Sequence, residues 1–180
     1  MDIPLENHLC FKLYVSSRLI VKLFAESMST LGLTYPKYLV LAALSEQNNQ
    51  TVTELGQKLH LDSGTLSPLL KSLVTDGFIV RRRPETDERI VSNSITERGR
   101  LVRGKATEAS YNIFCETGVS FDALNSLRVA MDDFILKCQL MQDVQAEVKS
   151  LKTASKPKKM TPTLKRTNRK VTPLSKGEFN

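Results

Sequence analysis

The stretch TVTELGQKLHLDSGTLSPLLKSLVTDGF, residues 51–78, holds two short helical patterns with only a few residues between them. Val52, Leu55 and Leu59 recur at steps of three and four in the first; Leu66, Leu69, Leu70 and Leu73 do so in the second. Each set is the apolar face of an α-helix. Two such helices joined by a tight turn form a helix-turn-helix, whose second helix needs an outward face that can enter the major groove of DNA. The outward positions are Ser63, Thr65, Ser67, Pro68, Lys71 and Ser72, nearly all short, and short side chains allow close approach to base edges. Pro68 lacks an N–H. Either the helix kinks there, or its regular part starts near Thr65 and leaves Pro68 in the first turn.

Beyond Gly77 the period changes. FIVRRR (78–83) and RIVSNSI (89–95) are rich in β-branched residues, and the polar PETDE between them reads as a hairpin loop. Arg81, Arg82, Arg83 and Arg89 line this hairpin, placed to neutralise phosphates or enter a narrow minor groove. Asp87 reads as a residue that orients a neighbouring arginine rather than one that touches DNA. Arginines on an exposed hairpin are often merely solvated, but directly behind two helices of this kind they form a wing, and double-stranded DNA is the expected partner. Thr96 then suits the N-cap of a helix running to about Cys115, with Gly118 as its stop.

Outward from this unit, apolar or small residues Cys10, Leu13, Tyr14, Ser17, Val21 and Phe24 mark one face of a helix from Leu5 to about Thr30. Pro4 suits its first turn and Gly32 its end. A second helix follows TYP, from about Lys37 to Glu46, and stops in EQNNQ. At the other end a helix from Ser120 keeps Leu124, Leu127, Met131, Phe134, Cys138, Met141, Val148 and Leu151 in one stripe. So long an apolar stripe would be a liability on a monomer, which points to another subunit as its cover. The expected fold is mainly α with a small β-hairpin wing: a winged helix-turn-helix with N- and C-terminal dimerisation helices. One domain spans 1–151, with a DNA-binding lobe at about 50–100 and dimerisation from 1–30 and 100–151.

The formal charge of +7 is concentrated at one end. Residues 152–180 carry nine of the 26 basic residues and one of the 19 acidic ones, leaving 17 basic and 18 acidic residues, or −1, for 1–151. With three prolines, few large apolar residues and no period, this tail is expected to be disordered, either a solubilising segment or one drawn to nucleic-acid phosphates. No run of about 18 apolar residues and no basic-then-apolar leader is present, so the expected location is the cytoplasm, without a membrane partner. Three cysteines, at 10, 115 and 138, lack C-x-x-C spacing, and no metal or cofactor is expected. No P-loop or Ser/His/Asp arrangement suggests an enzyme; His8 and His60 are isolated surface or packing residues.

On periodicity, Cys10 reads as a small hydrophobe in a helix core. A reactive thiol would need a stabilised thiolate and an access route, and Tyr14, one turn on, is a possible hydroxyl donor. The layout of helix-turn-helix, D-x-R wing loop (Asp87, Arg89), ITERG and C-terminal helices resembles the MarR family of transcription regulators. Within it, LCFKLYVSSR, LGLTYPKYLVL and LHLDSGTLSPLLKSL resemble the organic hydroperoxide resistance regulators, OhrR, over roughly residues 5–140. The resemblance implies a homodimeric repressor on an inverted-repeat operator, with organic hydroperoxide as its inducer. It makes Cys10 the peroxide-sensing residue, with Tyr35 of TYP as a thiolate-supporting hydroxyl. A second family tyrosine falls at Phe24, which removes one hydroxyl. Cys115 lies where a resolving cysteine of the other subunit is found in some members, and Cys138 reads as core. Two other readings stay open: a MarR-type regulator controlled by a lipophilic or phenolic ligand with passive cysteines, and a thiol peroxidase.

Overall fold

The computed structural model describes residues 3–83 and 91–154, without the side chains of 151–154. They fall into two units that divide after Phe121. The first contains α1 (Leu9–Thr30), α2 (Tyr35–Glu46), β1 (Gln50–Thr51), α3 (Val52–Leu59), α4 (Ser63–Thr75), β2 (Ile79–Arg82), β3 (Ser92–Ile95) and α5 (Glu97–Glu116). The second is built on α6 (Phe121–Ala154). The expected winged helix-turn-helix is present, with α3 and α4 as its two helices and β2 and β3 as the stems of the wing. Asp87, Arg89 and the basic tail beyond Ala154 lie outside the described residues.

The core forms where the leucine spacing placed it. Leu55 of α3 and Leu66, Leu70 and Leu73 of α4 are fully buried against Leu41 and Leu44 of α2, Ile79 of β2 and Ala106 of α5. Val52 and Leu59 pack on this cluster from its edge. The Thr96 hydroxyl accepts from Gly99 N–H over 3.0 Å and caps α5, which ends one residue past Cys115. Gly32 and Gly118 adopt left-handed backbone directly behind α1 and α5, the conformation that ends a helix most readily at glycine.

Four expectations are corrected. The first helix begins at Leu9, because Leu5–Asn7 forms a separate 3-10 turn behind Pro4 and His8 is extended, its ring nitrogen donating to the Ile3 carbonyl over 2.9 Å. The second begins at Tyr35, with Pro36 in its first turn, where a missing N–H costs nothing. The start near Thr65 that would have left Pro68 in the first turn is not found: α4 is helical from Ser63 and runs on past Pro68, which is its sixth residue. The cluster read as a stop contains a third strand, β1, which pairs antiparallel with β3 in the order β1-β3-β2. Side-chain amides hold it there. Asn48 Oδ1 accepts from Ile95 N–H over 3.0 Å, Asn49 Oδ1 accepts from the Ser94 hydroxyl over 2.5 Å, and Asn93 donates to the Gln50 carbonyl over 3.0 Å.

The N-terminal stripe also needs revision. Phe24 and Met28 are buried and Leu13 is half-buried, but Cys10, Tyr14, Ser17 and Val21 are exposed. The early turns of α1 run past what this chain can cover. Cys138, read as core, is exposed as well, together with Leu127, Phe134, Met141 and Val148 of its stripe; Leu124 and Met131 are half-buried. Helical spacing marks a face that avoids water without saying which surface covers it. Among the described residues, no helix is long and apolar enough to cross a membrane.

Candidate nucleic-acid interface and thiol site

The helix-turn-helix is locked at both helix starts. Thr51 and Glu54 form a reciprocal capping box on α3: the Thr51 hydroxyl accepts from Glu54 N–H over 3.2 Å, and the Glu54 carboxylate accepts from Thr51 N–H over 2.7 Å. Asp62 caps α4, accepting from Thr65 N–H over 2.9 Å and from the Thr65 hydroxyl over 2.7 Å. Both carboxyls are held below the ordinary carboxylate range by these bonds, Glu54 chiefly by the Thr51 backbone and Asp62 chiefly by the Thr65 hydroxyl. Between the helices His60 takes up left-handed backbone, and Leu61 N–H bonds back to the Gly56 carbonyl over 3.0 Å. A Cβ on Gly56 would sit 2.8 Å from the Leu61 carbonyl oxygen, so the tightness of the turn requires glycine there.

The outward face of α4 carries the expected set. Ser63, Thr65, Ser67, Pro68 and Lys71 are exposed; Ser72 is half-buried and donates to Asp76 over 3.5 Å, which takes it out of that face. On the wing, Arg81 and Arg82 lie on β2 and Arg83 follows it, all exposed. Short hydroxyl side chains on one helix face and a row of guanidinium groups on the adjacent strand match a groove-and-backbone mode of binding. Among the described residues, no group of three or more His, Cys, Asp and Glu side chains could hold a metal ion.

The thiol residues sit at two separate levels of α1. Cys10, near its start, shares a face at four-residue steps with Tyr14 and Arg18, and Arg18 donates to the Tyr14 hydroxyl over 3.1 Å while stacking on its ring. Tyr35 lies elsewhere. Its ring is 5.9 Å from that of Phe24 and 6.1 Å from that of Tyr38, and Phe114, next to Cys115, meets Phe24 edge-on at 5.5 Å. Tyr38 is tied to α5 through its hydroxyl, 3.1 Å from that of Thr107. Burial first, and the neighbouring Tyr38 second, push the Tyr35 phenol above its ordinary pKa, so it remains a donor at neutral pH. Fourteen residues separate Cys10 from Phe24 on one continuous helix, about 21 Å at 1.5 Å per residue. Tyr35 therefore cannot reach Cys10 of its own chain. Cys115, exposed at the end of α5, belongs to the Phe24 level, beyond the roughly 7 Å between Cα atoms that a disulfide tolerates.

Two residues passed over in the sequence belong to this frame. Arg18 is legible as the fourth residue beyond Tyr14. Lys37, which donates to Asp76 over 2.9 Å, joins α2 to the end of α4 across 39 positions and has no local signal.

Comparison with known proteins agrees with this geometry. A family model described as transcriptional regulator SarA/Rot matches residues 22–103. The organic hydroperoxide resistance transcriptional regulator of Bacillus subtilis (strain 168) is 43% identical over 127 residues, covering 71% of this chain and 86% of the relative. Among solved structures, reduced AbfR bound to DNA superposes with a TM-score of 0.65 at 29% identity, covering 76% of this chain and 94% of the other. Overoxidized AbfR bound to DNA gives a TM-score of 0.61 at 31% identity, covering 74% and 94%. Disulfide-formed AbfR gives 0.56 at 29% identity, covering 77% and 92%. With its helix-turn-helix, wing and flanking helices in this order, the chain belongs to the MarR family of DNA-binding transcriptional regulators, in the branch that resembles the organic hydroperoxide resistance regulators.

Proposed function

We propose that this regulator is a homodimeric repressor that senses organic hydroperoxides through Cys10 and leaves its operator when Cys10 is cross-linked to Cys115 of the partner subunit. The observation that carries the reading is the division of the thiol site between two levels of α1. Cys10 is exposed on one chain, and Tyr35 and Cys115 gather around Phe24 about 21 Å away. Antiparallel placement of two such helices would bring each Cys10 to the other subunit's Tyr35 and Cys115.

The chemistry needs two steps. The Cys10 thiolate attacks one peroxide oxygen, the O–O bond breaks, and the products are the Cys10 sulfenic acid and, once protonated, an alcohol. The Cys115 thiol then attacks the sulfenic sulfur, forming the S–S bond and releasing water. Closing that bond draws the end of α5 toward the partner's α1 and changes the separation of the two α4 helices, which on an inverted repeat must lie about 34 Å apart. Each 1.4 kcal/mol of lost complementarity is about a tenfold loss of affinity, so a modest displacement is enough. Overoxidized AbfR bound to DNA supports the cross-link, rather than oxidation of the thiol as such, as the releasing event.

The test is operator affinity by fluorescence anisotropy, on a sequence selected from a random inverted-repeat library, before and after one equivalent of cumene hydroperoxide. Wild type is expected to lose at least about thirtyfold in affinity, a shift of roughly 2 kcal/mol, while Cys10→Ser stays bound. Equal release of Cys10→Ser by peroxide would defeat the reading.

A further inference from the structure

Pro68 sits inside a helix that does not break. As the sixth residue of α4 it has no N–H to give the carbonyl of Gly64, its assigned partner four residues back. The helical step of about 100° places Gly64, Pro68, Lys71 and Thr75 on the line opposite the buried Leu66, Leu70 and Leu73, and all four are exposed. The carbonyl that has lost its donor therefore opens on the ridge of α4 farthest from the core. Gly64 brings no side chain to cover it and Pro68 only a compact ring.

Neighbouring hydroxyls do not fill the vacancy. Ser67 donates to the Ser63 carbonyl over 2.6 Å, Thr65 to the Asp62 carboxylate over 2.7 Å, and Thr75 to the Lys71 carbonyl over 3.1 Å. Each of these three hydroxyls is committed to an acceptor other than the Gly64 carbonyl. The ridge is thus narrow, close-approaching and acceptor-bearing. In the major groove the only base-edge donors are the exocyclic amino groups, N4 of cytosine and N6 of adenine. Guanine O6 and thymine O4 are acceptors, and would leave the carbonyl pressed against another lone pair.

We propose that the Gly64 carbonyl oxygen, freed by Pro68, reads one base in each half-site by accepting a hydrogen bond from the amino group of cytosine or adenine. The proposal rests on α4 being the groove helix and adds a main-chain reader to its side chains. It gives the interior proline a use: the backbone bond it removes becomes a specificity contact.

Pro68→Ala restores an N–H at the fourth residue beyond Gly64 and favours the helix, so the variant is expected to fold. The experiment uses the full-length protein and a selected operator in which each adenine in turn is replaced by purine, and each cytosine by pyrimidin-2-one, both lacking the amino group. Any weakening of the DNA duplex is common to both proteins on the same DNA and cancels between them. Expected is one position per half-site where losing the amino group weakens wild type about tenfold but Pro68→Ala by less than about twofold. Equal sensitivity of wild type and Pro68→Ala at every position would overturn the carbonyl contact. It would leave α4 in the groove if Lys71→Ala and Ser63→Ala still weaken operator binding. Loss of both effects would overturn the groove reading and the carbonyl contact together.

Discussion

Lys37 Nζ lies 2.9 Å from Oδ2 of Asp76, so the third residue of α2 is bonded to the residue that closes α4. Lys37 follows Tyr35 by two positions. A displacement of the TYP segment is thereby coupled to α4, the helix proposed to enter the groove, through an ion pair whose side chains are only 16% and 33% exposed. Lys37→Met and Asp76→Asn should each lower stability by about 1 kcal/mol in urea denaturation, discounted from the value of a deeply buried pair because Asp76 remains partly solvated. In both variants the ratio of reduced to oxidised operator affinity should shrink; an unchanged ratio would show that the pair is structural only.

Thiolate support is tested by moving one hydroxyl. A phenol that donates to a thiolate makes a charge-assisted hydrogen bond worth about 1.5 kcal/mol, roughly tenfold in reactivity. Tyr35→Phe should slow trapping of the Cys10 sulfenic acid about tenfold. Phe24→Tyr, which adds a hydroxyl where the resemblance implies a second tyrosine, should accelerate it by a similar factor. Phe24 is 4% exposed and meets Phe114 edge-on, so thermal unfolding must accompany the rate to separate chemistry from packing.

Gly99 is where the wing base and α5 touch. A Cβ there would fall on the Phe78 carbonyl oxygen and lie 2.8 Å from the Ile95 side chain, backbone and core atoms that cannot step aside. Gly99→Ala should cost about 3 kcal/mol, visible as a large drop in Tm. Thr51→Ala, which opens the capping box of α3, should cost about 1 kcal/mol.

The helix caps also set an acid limit. Glu54 and Asp62 have folded-state pKa values below their ordinary ones, so the stability they add is fully present above the unfolded-state pKa and is lost as pH falls through the folded value. Melting temperature should therefore decline below about pH 4. Thr51→Ala and Thr65→Val remove the hydroxyl donors but keep the backbone N–H of each, so Thr65→Val, which loses the chief partner of Asp62, should flatten that decline more than Thr51→Ala, which leaves the Thr51 N–H on Glu54; an unaltered acid limb in Thr65→Val would place the titration elsewhere.

The helix-turn-helix was legible because leucine spacing, cap residues and the switch to β-branched strands all agree within 50 residues. β1 was not, since two residues carry no period and its anchors, Asn48 and Asn49, bond residues more than forty positions away. Of the two readings of Pro68 only the later helix start is overturned, because its outward position lets α4 begin at Ser63 and run on past a missing bond. The stripe read on α1 holds only in part, since Leu13 and Phe24 are covered while Cys10, Tyr14, Ser17 and Val21 are exposed on one chain; amphipathic spacing is blind to whether a cover comes from the same chain or another.

The most direct measurement is non-reducing electrophoresis of wild type, Cys10→Ser, Cys115→Ser and Cys138→Ser before and after one equivalent of cumene hydroperoxide. A two-cysteine switch across the dimer predicts a covalent dimer in wild type and Cys138→Ser, and none when either Cys10 or Cys115 is replaced. Wild type that stays monomeric on the gel while its mass shows Cys10 oxidised, or a covalent dimer that persists in Cys115→Ser, would contradict it.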